Sequence, residues 1–89
     1  MPEATPSPFQ GFIERRIARF VKGQLKLHNF TYKQLAERLA LFGFRETDAS
    51  IANKLMRGKF SAAFFFATMS AINTNEVNVR EVISNRVEF

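Results

Sequence analysis

Apolar positions recur along this chain at spacings of three and four, and they divide it into helical stretches separated by short polar breaks. Residues 12–27 form the first. Ile13, Ile17, Phe20 and Val21 share a face that Leu27 extends, while Arg15, Arg19, Lys22 and Lys26 fall on the opposite side and Arg16 sits at the boundary. A second helix opens at Thr31, whose hydroxyl is placed to accept from the Gln34 amide while the Gln34 side chain reaches back, a capping box. Phe30 and Leu35 stand at the staple positions around that cap, Leu35, Ala36, Leu39 and Phe42 make the buried face, and Gly43 supplies a stop. After residues 44–46, Thr47 or Asp48 caps a third helix that turns Ile51, Ala52 and Leu55 inward and ends at Gly58. Ser61 caps a fourth, with Phe60 and Phe65 at staple positions and Phe64, Phe65, Thr68, Met69 and Ile72 on one arc. Asn73, Thr74 and Asn75 end it. Val79, Val82 and Ile83 predict a short fifth helix capped by Asn78, followed by an extended tail over residues 86–89. Residues 1–11 hold all three prolines and read as a flexible leader, so residues 12–89 make one all-α domain, a compact bundle of four to five helices.

Composition narrows the chemistry. Eighty-nine residues with eleven Phe supply core material for a single small domain. The absence of Cys excludes a disulfide scaffold, a Cys-ligated zinc finger and a thiol nucleophile. His28, the single histidine, precedes a cap and reads as an exposed linker residue. The carboxylates are scattered over polar faces, and no Gly-rich phosphate loop or paired nucleophile and base is visible. No catalysis, cofactor, metal or small-molecule substrate is expected. No apolar run is long enough to span a bilayer, and the first ten residues lack the order of a signal peptide, so the expected location is the cytoplasm.

The net charge of +5 points toward polyanions. Much of it lies on the first helix, where no acid interrupts the stretch from Arg15 to Lys26. A solvated face is the common meaning of such a stripe, but helices usually interleave acids as i, i+4 partners, and four neighbouring cations repel one another until a polyanion relieves them. The third helix adds a second feature. Opposite Ile51 and Leu55 it displays Ser50, Asn53, Lys54 and Arg57. Two capped helices with such an outer face have the layout of a helix-turn-helix over about residues 31–58. In that role Asn53 pairs with adenine, Arg57 with guanine and Ser50 with a base or a phosphate, while Lys54, Lys59, Arg15, Arg19, Lys22 and Lys26 hold phosphates. Arg38 and Arg45 add to the same field. Against this stand Glu46 and Asp48, close to where DNA phosphates would lie. Tyr32 reads as a half-buried packing residue rather than a phosphate ligand. Phe66 lies off the fourth helix's buried arc beside Ala63, Ala67 and Ser70. It packs internally against Val82 and Ile83, or meets a second protomer or another protein.

Residues 31–39 (Thr-Tyr-Lys-Gln-Leu-Ala-Glu-Arg-Leu), 51–58 (Ile-Ala-Asn-Lys-Leu-Met-Arg-Gly) and Phe60-Ser61 resemble the phage-repressor-like (Cro/CI type, XRE) helix-turn-helix family. The likeness covers roughly residues 30–72. It implies a lambda-repressor-like five-helix DNA-binding domain, commonly dimeric and commonly a repressor. The string as a whole also resembles a family of small bacterial domains of uncharacterised function. The turn departs from the repressor pattern: Gly43 falls seven residues after Ala36 rather than four, and Ile51 comes about one helical turn late, so helix two is longer or the loop wider. The reading is a bacterial transcriptional regulator binding double-stranded DNA in sequence-specific fashion. The alternative is a protein-interaction module that keeps the fold without DNA binding. An interfacial membrane binder ranks last, because the apolar face of helix one is needed for the core.

Overall fold

A computed structural model describes residues 8–83, which form five helices: α1 (Pro8–Leu27), α2 (Tyr32–Ala40), α3 (Asp48–Arg57), α4 (Ala62–Ala71) and α5 (Val79–Ile83). Helices α1 to α4 all end in the same way. A residue with positive φ follows each last turn: Asn29 (58°), Gly43 (89°), Gly58 (69°) and Asn73 (60°). The next amide then reaches back five residues, from Phe30 to the Leu25 carbonyl (2.8 Å), Phe44 to Leu39 (3.1 Å), Lys59 to Lys54 (3.2 Å) and Thr74 to Met69 (2.8 Å). Each bond satisfies a carbonyl that the helix leaves open and reverses the chain. Gly and Asn occupy all four positions because they tolerate the left-handed conformation best.

The starts follow polar side-chain caps. Thr31 and Gln34 form the reciprocal box, with both bonds at 3.0 Å. Ser61 accepts from the Phe64 amide at 3.0 Å, and Asn78 accepts from the Glu81 amide at 3.1 Å. Between these ends the helices enclose one core of Val21 and Leu25 from α1, Leu35 and Leu39 from α2, Ile51 and Leu55 from α3, and Phe64, Met69 and Ile72 around α4. Helix α2 packs on α3 and α4, and α1 packs on α3 and α5. Thr68 shares the buried arc, fully enclosed, with its hydroxyl unpartnered among the described residues.

Several expectations are corrected. Helix α1 begins at Pro8, so residues 8–11 are helical rather than leader. Proline suits a first turn, where its missing N–H bonds nothing, and Phe9 stacks on Phe12 at 6.0 Å. Leu27 is exposed, and Leu25, one turn beyond Val21, takes the core position instead. Phe42 is exposed as well. Helix α2 stops at Ala40, and the tight turns that carry the chain to Gly43 swing Phe42 outward and Phe44 onto the core. The connection over residues 41–47 is therefore the wider loop, and α2 is not lengthened. Residues 1–7 of the expected leader and the expected tail over 86–89 lie outside the described residues.

Candidate nucleic-acid interface

The mount of α3 is built from its own first turn. The Thr47 hydroxyl accepts from the Ser50 amide (3.0 Å), and the Ser50 oxygen accepts from the Thr47 amide (2.8 Å), closing a second capping box. Ser50 Oγ also lies 2.6 Å from Glu46 Oε1 and donates to it. The other Glu46 oxygen meets Lys54 Nζ at 2.8 Å, and the Glu46 side chain is only 7% exposed. Lys54 Nζ in turn sits 5.4 Å from the Phe64 ring centroid. Residues 46, 50 and 54 thus form a polar line along the flank of α3 that faces α4. The Glu46 charge, which would repel a phosphate, is neutralised within this line. Asp48 remains exposed, with its carboxylate accepting from the Ala49 amide at 2.9 Å.

The outer face carries different residues. Ala49, Asn53, Met56 and Arg57 are exposed at helical spacing. The Asn53 and Arg57 side chains, one turn apart, have no hydrogen bond or ion pair among the described residues. Met56 is 74% exposed on this same face. Sequence reasoning passed over it, although its place between Asn53 and Arg57 was the available signal.

Gly58 fixes α3 to α1. A Cβ at this position would lie 3.2 Å from the Glu14 carbonyl oxygen and 3.3 Å from its carbon, so the end of α3 rests on the α1 backbone. Lys59 then pairs with the Glu14 side chain, at 3.1 Å to Oε1. The hydrogen-bonding Lys59 ammonium holds the Glu14 carboxyl below its ordinary value of 4.5, and a hydrogen bond from Gln10 adds to the effect. Because the folded value is depressed, Glu14 contributes stability that is present above about pH 4.5 and is lost as pH falls through the folded value. Carboxyl NMR titration of Lys59→Met should move the Glu14 midpoint back up toward 4.5, whereas an unmoved midpoint would assign the shift elsewhere.

All four members of the α1 stripe, Arg15, Arg19, Lys22 and Lys26, are exposed and have no ion-pair partner among the described residues, although Arg15 is close enough to Glu14 to favour its charge. Their side of α1 follows from the helical period of about 100° per residue. Ile17 lines an apolar pocket with Val82 and Ile83 of α5. Turning from Ile17 past Glu14, the seat of Gly58, and the buried Ala18 leads to Lys22, Arg15, Lys26 and Arg19. The stripe therefore borders the α3 side of α1, away from α5.

Other expected residues have structural partners. Arg38 donates to the Ala71 carbonyl at 2.8 Å and lies over the Phe30 ring, clasping α2 to α4. Tyr32 is half-buried against the core, and His28 is exposed. Phe66 is 66% exposed, edge-on to Phe65 at 5.3 Å, and the ring that lines the α5 pocket is Phe65. Among the described residues no helix is long and apolar enough to cross a membrane.

Residues 13–77 match a family described as a domain of unknown function, DUF6471. The chain belongs to this family. The match runs from the second turn of α1 through α4 to Val77, so the DUF6471 unit contains the α1 stripe, the whole of α3 and Phe66, and stops before α5. Neither the curated proteins nor the solved structures include a match to the chain. The family shown is thus the one without an assigned function, and the phage-repressor likeness rests on the quoted residues alone.

Proposed function

We propose that this DUF6471 domain binds double-stranded DNA as a regulator of transcription, with α2 and α3 acting as a helix-turn-helix. Helix α3 lies in the major groove, and the α1 stripe holds the adjoining phosphates. The observation that carries this reading is the open pair Asn53 and Arg57, exposed one turn apart on α3 without side-chain partners among the described residues. Both side chains present paired donor or acceptor groups suited to base edges, adenine for Asn53 and guanine for Arg57. Ala49 and Met56 complete the face with apolar surface suited to thymine methyl groups. Ser50 and Lys54 support α3 through Glu46 instead of reaching DNA, and Lys59 steadies the junction with α1. The exposed cations of α1 supply charge that positions without specifying.

Selection from a random duplex library tests the reading. Wild type should enrich a short motif, and Asn53→Ala with Arg57→Ala should lose the preference, at about 5- to 150-fold per base contact, while keeping most bulk affinity. Failure to enrich any sequence would overturn sequence-specific binding. A second reading, an interaction module without DNA binding, draws on the exposure of Phe66. It requires that duplex DNA stay unbound even at low salt.

A further inference from the structure

Helix α4 runs Ala-Ala-Phe-Phe-Phe-Ala-Thr-Met-Ser-Ala and contains no charged residue. An apolar helix of this kind is normally covered on every side. Among the described residues nothing covers one side, where Ala62, Ala63, Phe66 and Ser70 are exposed. Phe66 projects at the rim of a groove of about 410 Å³, whose apolar wall is Phe65, Met69, Val77 and Val79. Val79 at the far rim is itself 64% exposed. One face therefore offers both an exposed aromatic ring and, beside it, an apolar hollow.

We infer that this face is the contact between two copies of the chain, each inserting its Phe66 into the groove of the other. A two-fold contact requires a surface that complements itself, and a ring beside its own receptor meets that condition. Charge selects the same face. Two chains of net charge +5 repel, and contact through the α1 stripe would oppose four cations with four. Among the described residues the α4 face and its groove contain no charged side chain, so like charges are not brought together there. The small side chains of Ala63 and Ser70 let the paired helices approach closely. A buried aromatic anchor at the centre of a contact commonly dominates its affinity.

The inference does not depend on DNA binding, and salt separates the two. Screening of the net charge strengthens self-association through a neutral face and weakens attachment to phosphates. Sedimentation equilibrium of the full chain should show a concentration-dependent dimer that tightens as salt rises. Phe66→Lys should raise its dissociation constant at least about 30-fold without change in the circular dichroism spectrum, because the replaced side chain is exposed. Ala63→Glu, which sets acid against acid across the two-fold axis, should also weaken it. A monomer at every concentration, or a dimer equally tight in Phe66→Lys, would overturn the inference. So would a photo-crosslinker at position 66 that joins the chain only to a different protein.

Discussion

Replacing Arg15, Arg19, Lys22 and Lys26 together with Gln should remove most DNA affinity and leave the fold more stable. Each phosphate contact releases counterions, and four of them give a log–log salt slope of about −3.6. For the wild type, raising salt fourfold then lowers affinity about 150-fold. The variant should bind at least about 100-fold more weakly at low salt and show a slope nearer zero. Stability should move the other way. The stripe sets Arg15 against Arg19 and Lys22 against Lys26 at i, i+4, and Arg19 against Lys22 at i, i+3. Like-charge pairs at such spacing destabilise a helix by about 0.2–0.5 kcal/mol each, so neutralisation should add about 1 kcal/mol. Fluorescence anisotropy with a labelled duplex, read beside urea unfolding, checks both halves. A stripe that served only as a solvated face would leave DNA binding unchanged.

Gly58→Ala should be the most damaging of the four glycine-to-alanine substitutions. Its φ of 69° is left-handed, which costs a non-glycine residue about 1–2 kcal/mol. The new methyl would also press on the Glu14 carbonyl at 3.2 Å, and that group belongs to the α1 backbone and has little room to yield. The combined loss should reach about 2–4 kcal/mol, a large share of a small domain's stability. Gly43→Ala is the control. Its φ of 89° is also left-handed, but nothing lies within 4 Å of the added atom, so only the conformational cost of about 1–2 kcal/mol remains. Equal losses at the two sites, measured by urea unfolding, would show that α3 does not bear on α1 at Gly58.

What could be read from sequence was mostly local. The Thr31–Gln34 box, the Ser61 cap and the stops at Gly43 and Gly58 each depend on residues within a few positions of one another, and all are present. The errors arise where a turn re-aims the side chains after it. Phe42 and Phe44 exchange roles because Gly43 takes positive φ only after the last turn of α2 has tightened. Leu27 lies past the last residue that α1 can direct at the core. In the candidate site, Asn53 and Arg57 were legible as outward residues because α3 is strongly two-sided. The internal roles of Ser50 and Lys54 are less legible, although Glu46, Ser50 and Lys54 stand four apart and Thr47 as the cap brings them into line. The pairing of Glu14 with Lys59 spans forty-five residues and carries no local signal. Family membership adds a boundary, since α5 lies beyond the matched stretch.

The claim that α3 meets DNA through its outer face is tested most directly by NMR. The uniformly labelled chain is titrated with a short duplex at low salt, following the Asn53 amide group, the Arg57 guanidinium and the backbone. Shifts should concentrate on Ala49, Asn53, Met56, Arg57 and the α1 stripe, and spare Phe66 and Val79. Spectra that do not change, or changes gathered on α4 and α5, would contradict the proposal.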